Sequence, residues 1–166
     1  QVLADVGNFV AAIDTTFGGF RERADATYAL LKDSGTAFIV VAVPGRDALR
    51  EAAYFVERLN QDEMPLGGLI LNRVQEVPET GLTHDQVMAA AQKLTADTTG
   101  TLTAALLGLH AERMEIKGRQ KHLASRFTAA HPSVPVQPVP AMTQDVHDLE
   151  GLREIGAALA NQEIRW

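Results

Sequence analysis

The 166-residue sequence has a net charge of −6, 46% hydrophobic and 22% charged residues, enough for one domain with a substantial core and too acidic for general nucleic-acid affinity. It has no cysteine, which excludes disulfides, thiolate metal sites and thiol catalysis within the chain. No G-x-x-x-x-G-K-[ST] phosphate loop occurs, and no apolar run reaches membrane-spanning length.

The first elements are helical in pattern. Val2, Val6, Phe9, Val10, Ile13 and Phe17 recur at three- and four-residue spacings and form one apolar stripe. Gly18-Gly19 is expected to interrupt it. A second helix over Phe20 to Lys32 puts Ala24, Tyr28 and Leu31 on one face, and Asp33-Ser34-Gly35 stops it. The chain opens at Gln1 inside this pattern with no signal peptide after it, which reads as a portion of a longer or processed protein.

Thr36 to Val43 is a continuous apolar run without alternation, the signature of a strand covered on both faces. Pro44-Gly45-Arg46-Asp47 is a turn, with Asp47 the expected N-cap and Glu51 near enough to favour the helix dipole. Leu49, Ala52, Ala53, Val56 and Leu59 form the buried stripe of the helix that follows. Gly68 to Val74 is a second buried strand, so the unit is β-α-β with parallel strands.

Gln75 to Gly81 reads as a loop, Thr83 to Lys93 as a helix, and Asp97 to Thr101 as a break. A charged helix is expected from Thr103 to Ala130, exposing Glu112, Arg113, Glu115, Lys117, Arg119, Gln120 and Lys121. Val134 to Pro140 is extended, and its prolines suit an edge strand. A closing helix from Asp148 to about Asn161 places Leu149, Leu152, Ile155 and Leu159 on one face.

The strand Gly68-Leu69-Ile70-Leu71-Asn72-Arg73-Val74 is the most informative segment. Open parallel sheets bind ligands beyond the carboxyl ends of their strands, and here such an end carries an amide and a guanidinium. Asn offers both a donor and an acceptor, the pair needed to read an adenine edge. His110 and His122 match no metal-ligand spacing and read as solvated surface residues; no metal site and no catalytic residue is expected in the chain.

Four blocks in order resemble the C-terminal part of the ArsA-like anion-transporting ATPases, the family of the arsenite-pump ATPase and the targeting ATPase for tail-anchored membrane proteins. They are Thr36-Ala-Phe-Ile-Val-Val-Ala-Val-Pro44; Ala48-Leu-Arg-Glu51 through Phe55-Val-Glu-Arg-Leu59; Leu69-Ile-Leu-Asn72-Arg73; and Val136-Gln-Pro-Val-Pro140 with Asp145-Val-His-Asp-Leu-Glu-Gly-Leu152.

The resemblance implies an α/β, parallel-sheet, P-loop NTPase-like fold of the deviant-Walker type, here a fragment with an N-terminal helical segment. Residues 1–35 would be part of a helical subdomain, and residues 36–166 the C-terminal part of the nucleotide-binding domain. ATP would be the ligand, with Asn72 bonded to the adenine and Pro140, Ala141 and Met142 packed on the base. Arg73 would help close the pocket. The phosphate loop and the Mg²⁺ ligands would lie upstream, in a portion of the same protein with which this chain associates. The resemblance also implies a cytoplasmic ATPase that works as a homodimer, or as a heterodimer with a sister subunit. Its partner would be a hydrophobic client or membrane protein, not nucleic acid.

Two departures limit the carry-over. The cysteines of the metalloid site and the zinc-binding cysteine pair of the eukaryotic members are both missing, so neither arsenite transport nor a zinc-clamped dimer is implied. Other classes stay open. One is a non-catalytic protein-interaction or dimerisation module derived from the same fold. The other is a relative of the septum-positioning and partition ATPases, disfavoured by the long helical stretch before Thr36.

Overall fold

A computed structural model describes residues 19–95 and 100–160. The chain is α/β. A helix over residues 19–32 (α1) precedes β1 (Phe38–Ala42), α2 (Arg46–Gln61), β2 (Leu66–Val74), α3 (His84–Thr95), α4 (Thr101–Ala130), β3 (Val136–Pro140) and α5 (Leu149–Ala160). The strands form a parallel three-stranded sheet in the order β1-β2-β3, with β2 in the middle. The β-α-β unit and its parallel pairing follow the sequence expectation, and β3, the proline-bearing strand, lies at an edge of the described sheet.

Strand geometry alternates side chains between two faces, and the register sorts them. Val40 pairs with Leu69 and Ala42 with Leu71, while Val136 and Pro138 sit opposite Leu69 and Leu71 on β3. Val40, Ala42, Leu69, Leu71 and Val136 meet Leu49, Ala52 and Val56 of α2 and Ala124 and Phe127 of α4 in one core, where Leu71 and Val56 are completely buried. Complete burial of each such side chain contributes roughly 1.5–3 kcal/mol. Gly68 lets β3 approach: a Cβ on it would lie 2.8 Å from the Pro135 carbonyl oxygen, which accepts the Leu69 N–H at 2.8 Å.

Several expectations are corrected. The continuous apolar run of β1 does not end up covered on both faces, because Ile39, Val41 and Val43 are 51%, 60% and 44% exposed. Described residues cover only the side facing α2 and α4, and β1 is an edge of the described sheet. Asp47 is not the N-cap. Helix α2 begins two residues earlier, with Gly45 as N-cap, so Asp47 lies in the first turn with its carboxylate 3.2 Å from Arg50, and Glu51 falls beyond that turn.

Gly19 is already helical, so the expected interruption does not include it; the Val2–Phe17 stripe, Gly18 and most of the Asp97–Thr101 break lie outside the described residues. The α5 stripe also differs, since Leu149 and Leu152 are exposed and none of the helix's residues is buried.

Helices α3 and α4 pair as a hairpin with a small core of its own. Val87 and Ala91 of α3 and Ala104 and Ala111 of α4 are buried outside the main cluster. Thr83 and Gln86 start α3 with a reciprocal cap: the Thr83 N–H donates to Gln86 Oε1 at 2.9 Å, and the Gln86 N–H to Thr83 Oγ1 at 3.3 Å. Leu102, Leu106 and Leu109 line an exposed side of α4 at 73%, 58% and 47%. Among the described residues no helix is long and apolar enough to cross a membrane.

Candidate functional site

The central strand β2 ends in an irregular turn of backbone. Its register with β3 shifts between Leu71 and Val74, and Arg73 in between adopts φ 61°, the left-handed region that non-glycine residues seldom occupy. Asn72 makes this possible locally, because its Oδ1 accepts the Arg73 N–H at 2.9 Å. A short polar side chain bonding its own backbone is the usual device for holding such a bend.

The bend is pinned from both sides. The Ala141 N–H donates to the Val74 carbonyl at 2.9 Å, tying the loop after β3 to the end of β2. The Gln75 N–H donates to Gln120 Oε1 at 2.7 Å in a part-buried bond from the middle of α4. Gln120 was expected on a solvated helical face. Instead it supplies the acceptor that a strand end leaving the sheet would otherwise lack.

These restraints open a cleft of about 670 Å³ at the carboxyl edge of the sheet. Asn72, Arg73, Pro140, Ala141 and Met142 all line it, so each of the sequence-selected residues reaches one place. Val139 and Ile155 add apolar wall from β3 and α5, and Asp145 sits at the mouth. The Arg73 guanidinium lies 3.6 Å from the Asp145 carboxylate, with both side chains well exposed, so the pair closes the mouth loosely at a gain of about 0–1 kcal/mol.

Asn72 is half-buried in the wall; its Oδ1 keeps a second lone pair beyond the Arg73 bond, and its amide hydrogens have no partner among the described residues. One donor and one acceptor therefore remain available to a ligand edge.

Sequence reasoning missed Asp145 as the partner of Arg73 and Ile155 as a wall of the cleft. Ile155 had a legible signal in its helical spacing; Asp145 had none, because the pairing depends on the loop closing over β2.

Beyond Asp145 the lining turns acidic. A smaller hollow of about 260 Å³ carries Asp148, Glu150 and Glu154, with Asp148 Oδ1 accepting the Gly151 N–H at 2.8 Å as the N-cap of α5. His122 is exposed, as the spacing predicts. His110 is not solvated as expected: it is half-buried on α4, and its Nε2 is enclosed with no partner among the described residues. No group of three or more His, Asp or Glu side chains is placed to hold a metal among the described residues.

Comparison with protein-family models gives no match, and comparison with curated proteins gives none either.

Proposed function

We propose that this chain supplies the base-side wall of a nucleotide site in an ATPase resembling the ArsA-like family, built on a P-loop NTPase-like version of the parallel sheet. The observation that carries the reading is the convergence of Asn72, Arg73, Pro140, Ala141 and Met142 on one cleft at the carboxyl end of the central strand. Ligands of open parallel sheets occupy that edge. In this reading Asn72 offers its amide hydrogens and remaining lone pair to the adenine edge, while Pro140 and Met142 pack against the ring. Arg73 and Asp145 flank the entrance.

Hydrolysis would require phosphate-binding donors and Mg²⁺ ligands from a segment upstream of Gln1, because phosphoryl transfer depends on positioning and charge stabilisation around the phosphates. The open edge of β1 and the exposed row Ile39, Val41 and Val43 are suited to receive further sheet and a covering layer from such a segment. The exposed leucines of α4 would then be the surface offered to a hydrophobic client. The protein would act in the cytoplasm as a homodimer or with a sister subunit.

A second reading draws on the same exposed rows. A non-catalytic interaction or dimerisation module would use them to bind a partner, with no need of ATP.

The test is ATP binding and turnover by this chain and by the chain extended upstream to the start of its reading frame. Asn72→Ala is expected to weaken ATP binding by the extended form about tenfold, the loss of one or two hydrogen bonds, and to cost about 1 kcal/mol of stability through the lost Arg73 N–H bond. An extended form that neither binds nor hydrolyses ATP overturns the ATPase reading and leaves the interaction module.

A further inference from the structure

A second cleft, unrelated to the one at the end of β2, opens between the N-terminal half of α2 and the C-terminal end of α4. Its volume is about 520 Å³. Arg46, Leu49, Arg50 and Ala53 face it from α2, and Leu123, Arg126, Phe127 and Ala130 from α4. Both sets recur at three- and four-residue intervals, so each is one continuous helix face, and the cleft is the seam between two packed helices.

The chemistry of this seam differs from the rest of the surface. Three guanidiniums line it in a chain of net charge −6, and the sole carboxylate beside them, Asp47, is held 3.2 Å from Arg50. Arg46 and Arg126 have no ion-pair partner among the described residues. Beneath the cations the floor is apolar, made by Leu49 and Phe127, each 6% exposed, and the His131 ring lies 4.8 Å from the Phe127 ring. An apolar floor under a few convergent polar groups, with a volume in the range of ~300–1,000 Å³, is the build of a small-ligand cleft.

We infer that this seam binds a small organic oxyanion with an apolar body. Guanidinium groups match the geometry of carboxylate and phosphate oxygens, forming paired charge-assisted hydrogen bonds that an ammonium cannot. Arg46 and Arg126 supply the open donors from opposite walls. Leu49, Phe127 and Leu123 take the apolar body, which a free inorganic ion lacks. Arg46 and Arg50 are like charges one helical turn apart, so a bound anion also relieves their repulsion.

The experiment is ligand-observed NMR and calorimetric titration of the 166-residue chain with phenyl phosphate, phenylacetate and the neutral 2-phenylethanol. Binding of at least one anion is expected, with the alcohol at least tenfold weaker and the affinity falling severalfold between 50 and 300 mM salt. The more tightly bound anion identifies the preferred head group. Arg46→Gln/Arg126→Gln is expected to weaken anion binding at least tenfold. Arg21→Gln/Arg23→Gln on α1, which removes the same charge elsewhere, should leave it within twofold. Equal binding of the alcohol, an equal loss in the α1 variant, or no binding of either anion at millimolar concentration overturns the inference. The salt dependence and the comparison with the alcohol use the unaltered chain, so the conclusion does not depend on how the variants fold. ATP binding at the β2 cleft is unaffected by either outcome.

Discussion

The two faces of the sheet are made of the same kinds of side chain and have opposite fates. On one face Val40, Ala42, Leu69 and Leu71 lie under α2 and α4, and Leu71 is completely buried. On the other, Ile39 and Val41 of β1 and Val43 just beyond it keep about half of their surface in water, and α5 reaches this side only near β3, where the Gln137 Nε2 donates to the Ala158 carbonyl at 3.4 Å. A sheet in which an uncovered face is as apolar as a covered one has a composition suited to burial on both sides. The covered face is a finished core, whereas the other leaves its apolar side chains exposed among the described residues.

The sharpest way to break this comparison is to truncate the finished face. Leu71→Ala removes a completely buried β2 side chain from the core shared with α2 and α4 and is expected to cost about 3 kcal/mol, within the ~2–5 kcal/mol range of such cavities. Urea denaturation of the purified chain reads this directly. A loss under about 1 kcal/mol would mean that the covered face is not a packed core.

Gly68→Ala is next. The new Cβ would meet the Pro135 carbonyl oxygen at 2.8 Å, and backbone does not yield as a side chain tip does, so a loss of about 2 kcal/mol is expected. The same substitution should loosen β3 against β2, visible as faster amide exchange at Leu69, whose N–H donates to that carbonyl.

Gln120→Ala follows. It leaves the Gln75 N–H without its acceptor in a part-buried position, at a cost of about 1–2 kcal/mol. This variant also tests the bend at Arg73, because Gln75 lies two residues beyond it. In the nucleotide reading, the extended form carrying Gln120→Ala should lose ATP affinity more than its small change in stability explains.

What was legible in the sequence divides along the same line as the two faces. The β-α-β unit was readable because Leu49, Ala52 and Val56 repeat at helical spacing between two apolar runs, a purely local pattern. Asn72 and Arg73 stood out for the same reason, since polar residues at the end of such a run have no place in a core. Pro140, Ala141 and Met142 were selected by resemblance, and their position beside Asn72 follows from the parallel pairing of β2 with β3.

The parts that were not legible depend on distant neighbours. Whether Val41 is covered is decided by what stacks on the sheet, and nothing in its own segment says so. Gln120 looked like one polar residue among many on a charged helix, and its inward turn follows from Gln75 lying across from it. The N-cap of α2 lies two residues before the expected one because both Gly45 and Asp47 are acceptable starts, and the backbone settled on Gly45.

The smallest effect carries the most discriminating prediction. In this chain Val41→Ala changes a side chain that is 60% exposed and should alter stability by less than about 0.5 kcal/mol. If an upstream segment covers the open face, the same substitution in the extended form removes two buried methyl groups, and the cost should rise to about 1–2 kcal/mol. Comparing the two urea midpoints isolates the covering layer, because the substitution is identical and only its surroundings change. A rise in cost from chain to extended form places Val41 in a second core. An unchanged small cost leaves the face open to solvent, where a row of β-branched residues at a sheet edge is a surface for pairing with another chain. The stability of a single exposed valine thus separates a sheet completed from within its own protein from one completed by a partner.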